Sequence, residues 1–105
     1  MKQYDIVYVR LDPTVGSEIR KTRPCLVISP DEMNAALRTV QVAPLTSNPQ
    51  ARPWRIPVVF HAKHGRIALD QIRTIDKSRL VKAGGRASPS TIQHVKSLIH
   101  EMLVA

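Results

Sequence analysis

Apolar residues fall in short runs between turn-forming residues along most of the chain, a pattern typical of β-strands. These runs predict strands over residues 4–9, 25–29, 39–45 and 56–60. Pro57 lies inside the fourth run. Because proline cannot donate to a strand ladder, we expect that strand at a sheet edge or a bulge.

The connecting segments are polar or rich in glycine. Residues 13–24 predict a polar loop with several basic side chains, and residues 31–37 have room for one helical turn. Gly65 predicts a turn, and residues 67–75 predict either a short strand pair or one bent strand. Residues 77–79 predict a further turn.

The last third of the chain changes from strand to helix. Val81 is expected as a last strand residue before a flexible, basic Gly84-Gly85-Arg86. Ser88 followed by Pro89 predicts a helix start with serine as N-cap. The apolar positions beyond it follow one helical stripe: Ile92, Val95, Leu98, Ile99, Met102 and Leu103. Short strands with short loops and one terminal helix predict a small, strongly bent antiparallel sheet or barrel.

Composition supports one compact domain of 105 residues. Hydrophobic residues make up 43% of the chain but aromatic residues only 4%, so the core must be built from Val, Ile and Leu. Cys25 is the only cysteine and lies in an apolar run, so we interpret it as a buried hydrophobic residue. We expect a cytoplasmic protein without a membrane span, because charged residues interrupt any signal-like segment near the start.

The basic charge is unevenly distributed. The formal net charge is +8, and nine of the 16 Lys and Arg residues but only two of the eight Asp and Glu residues lie between positions 52 and 86. Concentrated positive charge attracts polyanions, so nucleic acid is the expected partner class. The alternative is a solvated face that keeps the protein soluble.

The sequence offers few signals for a cofactor or a metal. His61 and His64 are spaced i, i+3, but they lie at a predicted strand end and turn, where this spacing is a weak metal signal. His94 and His100 lie off the apolar helix stripe and are interpreted as surface residues. No phosphate-binding loop, dinucleotide fingerprint or zinc-ligand spacing is present, so we expect no metal and no cofactor.

Three short motifs, in this order and spacing, resemble the MazF/PemK family of toxin endoribonucleases. They are Asp12-Pro13-Thr14-x-Gly16-Ser17-Glu18 leading to Arg23-Pro24, Pro44-Leu45-Thr46-Ser47, and Asp70-Gln71-x-Arg73-Thr74-Ile75-Asp76. The resemblance implies a mainly β fold, a small SH3-like five-stranded barrel with a C-terminal helix. It also implies a homodimeric toxin that cleaves single-stranded RNA without metal and is silenced by an acidic, MazE/PemI-like antitoxin.

The resemblance also implies roles for particular residues. Arg23 matches the catalytic arginine, whose planar fork suits two phosphoryl oxygens, and Thr46 matches the active-site threonine. Glu18 matches an acidic loop position that either orients Arg23 or accepts the 2′-hydroxyl proton. Asp70 matches an aspartate proposed as a base in PemK-like members, and Gln71 is placed to read a nucleobase edge.

Two questions about the site stay open at this point. Asp70 and Gln71 have an equally serious structural interpretation, in which they satisfy buried backbone groups where the sheet bends. Some PemK-branch members also carry a histidine and an arginine where this chain has Ser17 and Ala68, so the proton acceptor is open. His61 could take that role only if the fold brings it to the site.

We expect further RNA contacts from basic and polar residues of two loops, 13–23 and 46–55, that would line one groove. The residues assigned to RNA binding are Lys21, Ser47, Arg52 and Arg55.

Two other functions compete with the nuclease hypothesis. CcdB-like toxins share the barrel and poison DNA gyrase without catalysis, but their helix tail is expected to carry a tryptophan, whereas the only tryptophan here is Trp54. A non-catalytic barrel that binds single-stranded nucleic acid would rely on aromatic stacking, for which this chain has few rings.

Overall fold

The structure is a computed structural model that describes residues 1–11 and 21–104 of the chain. Within these residues the secondary structure consists of seven strands and two α-helices. In chain order they are β1 (Asp5–Arg10), β2 (Thr22–Val27), α1 (Asp31–Ala36), β3 (Thr39–Thr46), β4 (Arg55–Phe60), β5 (Lys63–Ala68), β6 (Arg73–Asp76), β7 (Leu80–Arg86) and α2 (Pro89–Leu103). Two 3₁₀ turns, Leu69–Gln71 and Lys77–Arg79, flank β6. The predicted turn at 77–79 and the helical turn at 31–37 are confirmed.

The strands form one curled antiparallel sheet in the order β4-β5-β3-β2-β1-β7, and β6 pairs with β3. The mainly β fold with a C-terminal helix is confirmed. The described residues form seven strands where the resemblance implies five, and one added strand arises because the turn at Leu69–Gln71 separates β5 from β6. These two strands pair with opposite ends of β3. β4 ends the strand order, so Pro57 lies on an edge strand, as predicted.

Both faces of the sheet are buried by aliphatic side chains. Side chains alternate between the two faces along β1. Ile6 therefore lies in a first hydrophobic cluster on one face, and Val7 and Val9 lie in a second hydrophobic cluster on the other face. The first cluster is covered by α2, and the second contains Cys25, which is fully buried as predicted. The core is therefore built from strand residues of the predicted type, and it holds the ends of β2 and β3 rigidly.

The terminal helix begins as predicted. The Ser88 hydroxyl accepts a hydrogen bond from the Thr91 backbone N–H at 3.2 Å, and Pro89 occupies the first turn. Val95 is fully buried against the first cluster. The predicted stripe is wrong at its last turn, where Met102 and Leu103 are 41% and 71% exposed, because the helix contacts with that cluster end at Ile99. No helix of the described part is long and apolar enough to cross a membrane.

The second strand begins earlier than predicted. β2 starts at Thr22 and includes Pro24, which pairs with Tyr8 of β1. Pairing of β2 with β3 begins only at Cys25. Proline is tolerated at position 24 because the strand has only one neighbour there. Arg23 therefore lies on a strand instead of in the predicted polar loop.

Two predicted boundaries in the second half are wrong. The turn lies at His61 and Ala62, and Gly65 belongs to β5, where it faces Val58. β7 continues through the glycines to Arg86, so the expected flexible segment is a strand paired with β1 through two register shifts. Gly84 permits this pairing because a side chain there would meet the Ile6 carbonyl at 3.1 Å.

Candidate active site

A cleft of about 400 Å³ opens beside the ends of β2 and β3 and under the β4–β5 hairpin. Its walls are formed by Tyr8, Arg23, Pro24, Leu45, Thr46, Ser47, Val58, Phe60, His61, Lys63, His64 and Gly65. Three of the residues predicted from the sequence, Arg23, Thr46 and Ser47, thus meet in one concave site. The chain separates Arg23 from the other two by more than twenty positions, and pairing of β2 with β3 brings them together.

Arg23 is held by the strand that carries it. It pairs with Val9 of β1, and its side chain is half-buried. The residue before a proline is restricted to extended conformations, so Pro24 reinforces the strand geometry at Arg23. Arginine side chains in general carry several N–H donors in one plane together with a positive charge, which suits them to bind phosphate oxygens.

Thr46 ends β3 and has its side-chain oxygen fixed by the following turn. The backbone N–H of Asn48 donates to Thr46 Oγ1 at 3.2 Å. This contact uses the oxygen as an acceptor, so the hydroxyl keeps its own proton for donation into the cleft. On the other side, Thr46 pairs with Arg66 of β5, and a Cβ at Gly65 would lie 3.0 Å from the Thr46 carbonyl oxygen. The hairpin therefore packs directly against the strand end that positions the hydroxyl.

The charge of the cleft is positive. The basic side chains of Arg23 and Lys63 line the cleft, together with the imidazole rings of His61 and His64. None of the described residues that line the cleft is a carboxylate. Preorganised positive charge and hydroxyl donors in a partly enclosed site stabilise anions such as a phosphodiester and the more highly charged species formed during its cleavage.

Arg55 and Asp70 lie outside the cleft and bind each other. Arg55 Nε and Nη2 donate to Asp70 Oδ1 and Oδ2 at 2.9 and 3.0 Å, so both carboxylate oxygens are occupied. The hydrogen bond that Arg55 donates to Asp70 raises the pKa of Arg55, against the opposing effect of burial. The structure thus joins a residue predicted to bind RNA to one predicted as catalytic or RNA-binding.

The other predicted residues are spread around the site. Lys21 is exposed at the start of β2, Arg52 is exposed and donates to the Ala51 carbonyl at 3.0 Å, and Gln71 is half-buried in the turn after Leu69. None of these three lines the cleft. Glu18 lies outside the described residues.

Tyr8, Phe60 and Lys63 are cleft residues that the sequence did not assign to the site. The two-residue period of β4, which places Ile56, Val58 and Phe60 on one face, is a signal that could have pointed to Phe60. Across residues 1–11 and 21–104 no three His, Cys, Asp or Glu side chains form a group that could hold a metal ion.

The curled sheet and the positive cleft at its strand ends define a class of protein, a small β domain with a site for a phosphate-bearing polyanion. Comparison with known proteins gives the particular family. The family described as "PemK-like, MazF-like toxin of type II toxin-antitoxin system" matches residues 2–103, and the chain belongs to this family.

Relatives and solved structures agree with this assignment. The chain is 40% identical over 86 residues to "Endoribonuclease EndoA" of Bacillus subtilis, covering 76% of this chain and 74% of that protein. The crystal structure of MazF from Deinococcus radiodurans shares the fold with a TM-score of 0.88 at 24% identity, covering 100% of this chain and 97% of that one. A MazE-MazF structure from the same organism superposes with a TM-score of 0.80 at 21% identity, over 99% and 95% of the two chains.

Proposed function

We propose that this toxin is a metal-independent endoribonuclease that cuts single-stranded RNA at specific sequences. Attack of the 2′-hydroxyl on the adjacent phosphate would leave a 2′,3′-cyclic phosphate and a 5′-hydroxyl end. The observation that carries the proposal is the meeting of Arg23 with the Thr46 hydroxyl in one positive cleft. The endoribonuclease names of its relatives support it.

Arg23 is proposed as the main electrostatic catalyst. As the 2′-oxygen bonds to phosphorus, negative charge builds on the nonbridging oxygens, and a guanidinium can hold two of them in a bidentate contact. A guanidinium is in general a poor base, so the role proposed for Arg23 is charge stabilisation. Removal of one such donor from an enzyme site typically slows catalysis about 10²- to 10³-fold.

Thr46 is proposed to donate its remaining proton to a nonbridging oxygen. The fixed acceptor contact from Asn48 orients the hydroxyl before substrate binds, so little reorganisation is needed. Ser47, on the same rim, is proposed to contact the RNA backbone. Glu18 is proposed to orient Arg23, which is one of the two roles that the family resemblance implies for it.

Two partners are proposed besides RNA. A two-fold homodimer would join two clefts into a groove that holds several nucleotides. An acidic antitoxin segment would bind across the same groove, steered by the net charge of +8, and would inhibit by covering Arg23. The similarity of this chain to the MazE-MazF structure from Deinococcus radiodurans supports an antitoxin of this kind.

The test is to incubate the purified protein with a long mixed-sequence RNA in EDTA, and to map the cut sites and their end groups. The proposal predicts discrete cuts that carry cyclic phosphates and 5′-hydroxyls. Binding with no cutting by folded protein would favour a non-catalytic nucleic-acid-binding barrel, and inhibition of gyrase by protein that leaves RNA intact would favour a CcdB-like toxin. Cutting that requires a divalent ion would contradict the proposed chemistry.

A further inference from the structure

Three rings form a continuous row along one wall of the cleft. The Tyr8 and Phe60 rings have centroids 6.2 Å apart at 47°, and the Phe60 and His61 rings have centroids 4.1 Å apart at 60°. All three line the same cleft as Arg23 and Thr46. The chain is poor in aromatic residues, and two of its few rings are placed in this site.

Two rings of the row pack against Gly84 of β7, the strand at the opposite edge of the sheet from β4. A Cβ at Gly84 of β7 would lie 3.2 Å from Phe60 Cζ and 3.2 Å from Tyr8 Cε1. The two rings therefore pack directly on the backbone of β7, and a side chain at this position would displace them. Lys82 Nζ lies 4.8 Å from the Tyr8 ring centroid and adds a positive charge beside the row.

The third ring is held by an unfavourable turn. His61 and Ala62 join β4 to β5 with φ values of 50° and 62°. A two-residue hairpin with positive φ at both positions normally carries Asn-Gly, and alanine is disfavoured there. Strained backbone of this kind persists mainly at functional sites. In this turn the imidazole packs on Phe60 and faces the cleft.

The register of the hairpin separates the turn from Thr46. Thr46 pairs with Arg66, and Lys63, the first residue after the turn, lies three positions further along β5. At ~3.3 Å per strand residue, this corresponds to roughly 10 Å. A general acid must come within about 3 Å of its target, so this backbone spacing favours contact of His61 with a neighbouring part of the RNA over proton transfer at a phosphate bound at Thr46. A neighbouring nucleotide of the same strand can span the distance.

We propose that Tyr8, Phe60 and His61 form a stacking subsite for an RNA base next to the phosphate that is cut. This assignment rests on the proposed function for the identity of the ligand. Ring stacking accepts any base and is worth about 1–3 kcal/mol per base, so loss of one ring should weaken RNA binding about 5- to 150-fold. His64 also lines the cleft, but its pairing with Val59 places it on the other face of the β4–β5 pair from Phe60, so it is not assigned to the row.

The test uses a single-stranded, fully 2′-O-methylated RNA pool of mixed sequence with one interior 2-aminopurine, a base whose fluorescence is quenched by stacking. The variant His61→Asn keeps a residue that tolerates positive φ and removes the ring. Phe60→Leu keeps an apolar side chain against the first cluster and removes the second ring. His94→Asn, on the exposed face of α2, is the matched control. Urea unfolding verifies that each variant is folded.

If the subsite exists, the wild type and His94→Asn quench the 2-aminopurine fluorescence. The two ring variants lose both quenching and affinity, while the slope of log affinity against log salt stays unchanged. Equal affinity and quenching in all four proteins would overturn it. If the slope of log affinity against log salt is smaller by about 0.7 in His61→Asn, His61 contacts a phosphate instead. If His61→Asn binds RNA normally but cuts it with an altered pH–rate profile, His61 transfers a proton instead. Failure of the wild type to cut unmethylated RNA while the quenching pattern holds would refute the nuclease proposal and leave the subsite intact.

Discussion

At the scale of single residues, the ion pair between Arg55 and Asp70 distinguishes between two roles for the Asp70 carboxylate. From the sequence, Asp70 is either a base, as the family resemblance implies, or a purely structural residue. In the structure both oxygens of Asp70 accept from Arg55, and neither residue lines the cleft. A carboxylate whose two oxygens both accept from one guanidinium is oriented by that pair and not by the cleft. The geometry therefore favours a structural role for Asp70 as the ion-pair partner of Arg55, which differs from the backbone contacts expected from the sequence.

Asp70→Asn is predicted to lower the free energy of unfolding by about 1 kcal/mol, because it breaks a bidentate, partly exposed ion pair. RNA cleavage should stay within a few-fold of the wild type. Urea unfolding and single-turnover cleavage measure the two effects. A 100-fold loss of cleavage with little change in stability would make Asp70 a catalytic group.

Cys25 is predicted to be unreactive in the native protein. Burial raises the pKa of its thiol to about 12, despite the opposing charge of Arg73, so almost no thiolate forms at neutral pH. Iodoacetamide at pH 8 should leave the folded protein unmodified and should alkylate it fully in urea, as measured by mass spectrometry. Rapid labelling of the folded protein would show that the second cluster opens.

At the scale of elements, local sequence predicted most strands and the helix cap but misplaced two junctions. Gly65 is the residue expected in a hairpin turn, yet the turn forms at His61 and Ala62 because pairing of the flanking strands overrides local preference. Pro24 is a strand breaker in general and lies within β2. Such positions depend on which neighbour strand is present, which a single sequence does not contain.

The 3₁₀ turn after β6 gives the fold a pH-dependent cap. Ser78 donates its backbone N–H to Asp76 Oδ1 at 2.8 Å, and this hydrogen bond lowers the pKa of Asp76 below 3.8. Because the pKa of Asp76 is lowered in the folded protein, its charged carboxylate stabilises the fold at pH values above its ordinary pKa. This stabilisation is lost as the pH falls through the lowered pKa.

Asp76→Asn should therefore be less stable than the wild type near neutral pH, and the difference should disappear as the pH falls through the lowered pKa of Asp76. Urea unfolding midpoints measured from pH 7 down to pH 2.5 test this dependence. A difference that is the same at every pH would show that the charge of Asp76 does not contribute.

At the scale of the whole molecule, composition and charge predicted a nucleic-acid partner but could not locate its site. A count of charges treats Arg23, Arg52 and Arg55 alike. The fold distinguishes them, because Arg23 lines the cleft and the other two do not. The sequence motifs identified Arg23 and Thr46. Tyr8 and Phe60 were missed because their contact depends on the curl of the sheet, which brings together β1 and β4, two strands that do not pair.

RNA binding is predicted to weaken steeply with salt. Each phosphate neutralised in a single strand contributes a slope of about −0.7 in log affinity against log salt. Lys63→Gln, which removes one cation from the cleft, should reduce that slope by about 0.7, whereas Lys2→Gln at the exposed chain start should leave it unchanged. Fluorescence anisotropy with 2′-O-methylated RNA from 50 to 200 mM salt measures both. Equal slopes for the two variants would place the RNA elsewhere on the surface.

The central claim is that Arg23 in the cleft catalyses RNA cleavage, and single-turnover kinetics test it most directly. Arg23→Ala should cut about 10²- to 10³-fold more slowly than the wild type in EDTA, while remaining folded. The matched control Arg38→Ala removes an exposed arginine outside the cleft and should cut at nearly the wild-type rate. An Arg23→Ala protein that cuts RNA as fast as Arg38→Ala would contradict the account.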